Sequence, residues 1–205
     1  MDIDTKDMLN SILKYIYSID YIKPEDIPNI DLYMDQVTTF MEEGLSSTKR
    51  FQDDKILTKT MINNYTKNNL LPPPVKKKYS QEHLLVLIFI YYFKNLLSIK
   101  DIETLLHPLT KDYFGNHEDF SITEIYEEVC NLQKSRFGSV AKDMTRIYRD
   151  SAKTFADIPD DENKEMLQKF AFICSLAFDV YVKKQVIEKL IDDMPKPESK
   201  KDKKK

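Results

Sequence analysis

Residues 57–84 read LTKTMINNYTKNNLLPPPVKKKYSQEHL. A polar, Asn-rich segment is followed by three prolines, three lysines and the start of a long apolar run, and this order of parts decides how the chain folds. Thr58 has the chemistry of an N-cap, and the residues after it place Met61, Ile62 and Tyr65 along one side of a helix. Lys59, Thr60, Asn63, Asn64 and Lys67 fall on the other side, which offers cations and carboxamides and no acid. Asn68-Asn69 closes the helix, because Asn accepts the left-handed conformation of a C-terminal cap. Leu70 to Pro74 then runs extended, since each proline drives the residue before it out of the α region. Val75 to Tyr79 forms a short strand or loop that carries Lys76, Lys77 and Lys78.

Downstream, Ser80 caps a helix that is apolar nearly all round from Leu84 to Phe93 and runs to about Leu97, the pattern of a buried central helix. Ser98 caps another over IKDIETLL (99–106), with Ile99, Ile102, Leu105 and Leu106 inward. Upstream, residues 4–19 place Met8, Ile12, Tyr15, Ile16 and Ile19 at helical spacing. Tyr21 to Asp31 is an irregular connection, and Asp31 or Asp35 caps a second helix through Val37, Phe40 and Met41 that stops near Gly44. Ser46 to Lys55 is a polar loop. The C-terminal half reads as a helix over 119–150, bent or broken at Gly138, and a final helix from Pro159 to about Met194. In that last helix Met166, Phe170, Ile173, Ala177, Val180, Lys184, Ile187, Ile191 and Met194 recur at steps of four and three, a heptad seam with one lysine in it. A second row, Leu167, Ala171, Cys174, Phe178 and Tyr181, predicts that its first half buries two faces.

With three glycines among 205 residues, neither a phosphate-cradling loop nor a hairpin-rich β fold is expected, and the fold class is all-α. The net charge of −3 hides segregation. Residues 1–48 sum to −7, residues 49–78 to +6, residues 79–195 to −6 and the tail 196–205 to +4. The basic excess of the folded part is thus assigned to the opening stretch, and contact electrostatics let an acidic protein bind a polyanion there. The start of the chain lacks a signal-peptide pattern and no apolar run is long enough to span a bilayer, so a cytoplasmic protein without a membrane partner is expected.

Tyr65 followed by Asn69-Leu70-Leu71-Pro72, then Lys77-Lys78-Tyr79, Ser80-Gln81-Glu82-His83-Leu84 and Ser98-Ile99-Lys100-Asp101-Ile102, resembles the DNA-binding domain of the MerR family of bacterial regulators. In that family a recognition helix ends in a Tyr motif and a Gly-Leu-Leu-x-Pro turn, then a basic wing leads into a hydrophobic helix. The resemblance covers roughly residues 33–106. Asn63 stands where the family has Arg, Asn64 where it has its first Tyr, Asn69 at the turn Gly and Lys77 at the wing Arg, and residues 46–56 are an insertion. The combination DLYMDQVTTFMEE, LTKTMINNYTKNNLL and KKYS also looks like a bacterial domain-of-unknown-function family compared with MerR proteins.

The resemblance implies a winged helix-turn-helix with a small wing at 31–111, after an N-terminal helix and linker (1–30) and before a helical half (112–195) and a disordered lysine tail (196–205). It implies a transcriptional regulator that binds double-stranded DNA as a homodimer. The DNA contacts would be Lys59, Thr60, Asn63, Asn64, Lys67, Lys76, Lys77, Lys78 and Tyr79. The dimer seam would be Phe170, Ile173, Ala177, Val180, Ile187 and Ile191. The alternative is a helical protein–protein adaptor on the same scaffold without DNA binding. No cofactor, metal or effector is indicated and no enzyme is expected. His83, His107 and His117 lack zinc-hydrolase spacing, Cys130 and Cys174 lie on apolar helix faces with no base in view, and Asp160-Asp161-Glu162 suits a helix N-terminus without a metal.

Overall fold

The computed structural model describes residues 5–19, 21–115, 120–159 and 162–197. The Lys-rich residues 198–205, the residues His117, Glu118 and Asp119, and Asp160-Asp161 lie outside the described residues. The chain is all-α: α1 Thr5–Ser18, α2 Met34–Gly44, α3 Lys59–Lys67, α4 Gln81–Phe93, α5 Ile99–Asp112, α6 Ile122–Ser151 and α7 Glu162–Asp192. Two short strands, β1 Leu32–Tyr33 and β2 Lys78–Tyr79, pair antiparallel with Leu32 opposite Tyr79. Among the described residues no helix is long and apolar enough to cross a membrane. The chain divides into two compact units, Asp20–Cys130 with Glu188–Lys205 and Met1–Ile19 with Asn131–Ile187.

The first of these units is organised around α4. Leu84, Leu85, Val86, Leu87, Ile88 and Ile90 are wholly buried, so nearly the full circumference of the helix is removed from water. Each such side chain contributes about 2 kcal/mol of apolar burial. Val37, Met41 and Leu45 from α2, Ile62 and Tyr65 from α3, Ile102 and Leu106 from α5 and Tyr126 from α6 join the same core. The Tyr126 hydroxyl donates to the Ile22 carbonyl, which ties α6 to the segment before α2. Burial holds that phenol well above its ordinary pKa.

Three expectations shift. Helix α2 is preceded by Tyr33 rather than by Asp31 or Asp35, and the Gln36 Oε1 accepts from the Tyr33 backbone N–H at 2.9 Å. Pairing of Leu32 and Tyr33 with β2 keeps the chain extended until Met34, which moves the start of the helix past Asp31. Ile99 is exposed, unlike Ile102, Leu105 and Leu106. Helix α5 also continues past Leu106 and through Pro108 to Asp112, because Leu109 extends the face that packs on the core.

In the second unit α6 is continuous through Gly138. Tyr148 of α6 and Phe172 of α7 are buried edge to face with ring centroids 5.4 Å apart. Gln168 Nε2 donates to the carbonyls of Ala152 (2.8 Å) and Thr154 (3.1 Å), clamping the turn between the two helices. The anticipated second buried row of α7 is not found. Phe172 is the buried residue there, Leu167 and Ala171 are half-buried, and Cys174, Phe178 and Tyr181 are exposed. Along the expected seam Phe170, Ile173, Ala177, Val180 and Ile187 are exposed, whereas Ile191 is buried in the core of the α4 unit and does not share their surface.

Candidate nucleic-acid interface

Helix α3 is built as its sequence dictates. Thr58 Oγ1 accepts from the Met61 N–H at 3.2 Å, capping the first turn, and Asn69 closes the last with φ of 58°. Ile62 and Tyr65 are buried in the core that α2 and α4 also build, which rotates Lys59, Thr60, Asn63, Asn64 and Lys67 outward, and all five are exposed. The helix brings no acid to this surface, but α2 does: Lys59 forms an ion pair with Asp35. Glu103 of α5 accepts a long hydrogen bond, 3.5 Å, from Asn69 Nδ2. The cation on α3 without an ion pair among the described residues is therefore Lys67.

The lysine run forms a two-residue hairpin turn. Val75 N–H donates to the Lys78 carbonyl at 3.1 Å and Lys78 N–H donates back to Val75 at 2.9 Å. Lys76 and Lys77 occupy the two central positions with φ of 49° and 65°, the left-handed pair of a type I′ turn, where Asn-Gly is the favoured sequence. Both lysines and Val75 are exposed at this tip. Lys78 instead lies along the strand with its ammonium 5.4 Å above the Tyr33 ring. Tyr33 and Asp35 thus draw together β2, the start of α2 and the start of α3, since they engage Lys78 and Lys59 respectively.

Tyr79 departs from the expected contact set. Its side chain is 3% exposed and stacks edge-on against His83, 5.5 Å between centroids, so it supports the hairpin from inside. His83 is the residue whose role the sequence concealed. Its Nδ1 accepts from the Ser80 backbone N–H at 3.0 Å, which assigns the ring proton to Nε2, and Nε2 faces the Pro73 carbonyl at 3.4 Å. Phe114 closes the other side of the ring at 4.7 Å. Burial holds the imidazole pKa below its ordinary value, with the Pro73 carbonyl and Asp31 acting in the opposite direction. A neutral histidine thereby staples the start of α4 to the proline segment that presents the hairpin.

The insertion between α2 and α3 adds a cation of its own: the Arg50 guanidinium lies 5.1 Å over the exposed Phe51 ring. The loop is anchored at both ends. Lys49 pairs with Glu42, and Lys94 Nζ donates to the Ile56 carbonyl at 2.7 Å. Neither residue is among the contacts expected from the sequence, and the signal that marks them is an adjacent Arg and Phe in a polar loop.

The chain belongs to the family described as domain of unknown function (DUF1836), whose model matches residues 22–129. That span opens at the residue whose carbonyl Tyr126 holds and ends on α6. No curated protein and no solved structure matches the chain.

Proposed function

We propose that this member of the DUF1836 family is a DNA-binding transcriptional regulator built on a MerR-like winged helix-turn-helix. In this reading α2 and α3 are the helix pair, α3 is the recognition helix, and the Val75–Lys78 turn on the β1–β2 pair is a small wing. The observation that carries it is the hairpin tip: Lys76 and Lys77 occupy left-handed positions that favour Asn and Gly, and both side chains are exposed. Strain retained at an exposed pair of cations is expected where the cations have a task. Lys67, Lys76 and Lys77 are suited to phosphate oxygens, which position a protein without reading sequence. Asn63 and Asn64 are suited to the adenine edge, where a carboxamide donates to N7 and accepts from N6.

The proposal includes a homodimer through α7, where Phe170, Ile173, Ala177, Val180 and Ile187 recur at heptad steps and are exposed. The same apolar surface favours the second reading, an adaptor that binds another protein and not DNA. Titration with mixed-sequence duplex DNA at two salt concentrations separates them. A regulator binds with an affinity that falls steeply with salt, and replacing Lys76, Lys77 and Lys78 by Ala weakens binding to every sequence and flattens the salt dependence. No binding at low salt would transfer the case to the adaptor.

A further inference from the structure

Charge summed over residues 79–195 is acidic, and that sum conceals a second cationic segment. From Ile122 to Cys130 helix α6 carries Glu124, Glu127 and Glu128 and no base. From Asn131 to its end at Ser151, and on through the next two residues to Lys153, come six Lys or Arg against Asp143 and Asp150, a net of +4. The helix dipole favours cations only in the last turn, so it does not account for bases spread over this length.

Four of the six lie together. At helical rotation Lys142, Arg146 and Arg149 fall within a sector of about 60° and extend over about 10 Å of the axis, and Lys153, in the turn two residues past the end of α6, lies beside them. All four are exposed, and together with Thr145 and Asp150 they line a shallow concavity of about 360 Å³. N-terminal to them the same face presents Ser135, Gly138 and Ser139, small residues that leave it unobstructed. The two acids engage two of the four cations. Asp143 pairs with Arg146 at 2.5 Å and Asp150 with Lys153 at 3.3 Å, while Lys142 and Arg149 make no ion pair among the described residues.

We infer that this stripe is a second contact for the phosphate backbone of duplex DNA, made from the compact unit that does not carry the hairpin. The inference rests on the DNA-binding reading above. Its chemistry is complementary in sign, and about 10 Å of helix with the lysine beyond it faces a backbone that carries one phosphate per about 3.4 Å of duplex axis on each strand. The stripe carries no carboxamide and no aromatic side chain, so it positions the protein and reads no bases.

The test uses the full chain in a K142Q/R146Q/R149Q/K153Q variant, which keeps good helix formers on an exposed face, and a charge-exchanged K142R/R146K/R149K/K153R variant. A K142Q/R149Q double variant serves if the fourfold change lowers helicity by circular dichroism. The probe is a long mixed-sequence duplex, titrated from low to moderate salt. Loss of at least two phosphate contacts flattens the salt slope by about two and lowers affinity on the order of 50-fold at 0.1 M salt. The charge-exchanged variant is expected to bind like wild type. An unchanged slope in the neutralised variants, with wild type still binding DNA, overturns this inference alone and leaves the stripe to an acidic protein partner. Equal loss in the charge-exchanged variant also overturns it, since a packing defect would then be the cause. Failure of wild type to bind DNA at any salt overturns the DNA-binding reading itself.

Discussion

Replacing Lys76-Lys77 by Asn-Gly separates what the hairpin contributes to folding from what it contributes to binding. Both lysines have positive φ. A left-handed conformation costs an ordinary residue about 1 kcal/mol or more, and glycine nothing. Glycine at the second position removes that cost, and asparagine at the first relieves part of it. Against this stands about 0.5–1 kcal/mol for the extra freedom of glycine in the unfolded chain. The net is a gain of about 1 kcal/mol, or about 2–4 °C in the melting temperature of a chain of this length. Binding moves the other way, because two cations have gone: the salt slope flattens by about two and affinity falls on the order of 50-fold at 0.1 M salt. Differential scanning calorimetry and fluorescence anisotropy with labelled duplex measure the two sides. A Lys76→Ala, Lys77→Ala variant is the control, losing the charges and keeping the strained turn. If the Asn-Gly variant melts below wild type, the turn is not strained as described. If it binds DNA as tightly as wild type, the lysine pair has no part in binding.

Three further outcomes are expected. Gly138 lies on an exposed stretch of α6 with open space where a Cβ would sit, so Gly138→Ala should stabilise by about 1 kcal/mol, and a lower helix melt would show that this position needs its freedom. Ile187→Glu should turn a sedimenting dimer into monomers with helicity nearly intact, and a wild-type protein that is monomeric at tens of micromolar would remove the seam from consideration. His83 resists protonation when folded, so below pH about 6.5 the unfolded chain binds one more proton and stability declines as the pH falls through that value. Urea titrations between neutral and mildly acidic pH should show this decline in wild type and a flatter response in His83→Gln; identical slopes would exclude His83 as its source.

What the sequence disclosed was local. The Thr58 cap, the Asn69 closure, the two sides of α3 and the all-round apolar α4 each depend on residues within a turn or two of one another, and propensity with periodicity resolves them. What it concealed depended on partners far along the chain. Tyr33 became the residue before α2 because β2, more than forty residues later, holds the preceding backbone extended. Asp35 reached Lys59 only because α2 and α3 pack together. Tyr79 was expected at the binding surface and is turned inward by His83. The lysine turn was illegible for the opposite reason, since lysine is a residue that left-handed positions disfavour. The α6 stripe was lost to averaging: a helical wheel of residues 142–149 finds its helical part, and a net charge over more than a hundred residues does not.

Pairing of Leu32 with Tyr79 also sets an order of events during synthesis. The Val75–Lys78 turn closes over four residues and can form on its own timescale. Joining it to the start of α2 closes a loop of about 47 residues, at an entropic cost of roughly 3 kcal/mol that two-residue strands cannot meet alone. That junction must therefore await burial of α4 by α2, α3 and α5. Until then Lys78 has no Tyr33 beneath it and Lys59 no Asp35 beside it. A partly made chain can carry every residue of the surface and still not present it, so the patch matures as a late product of folding rather than an early one.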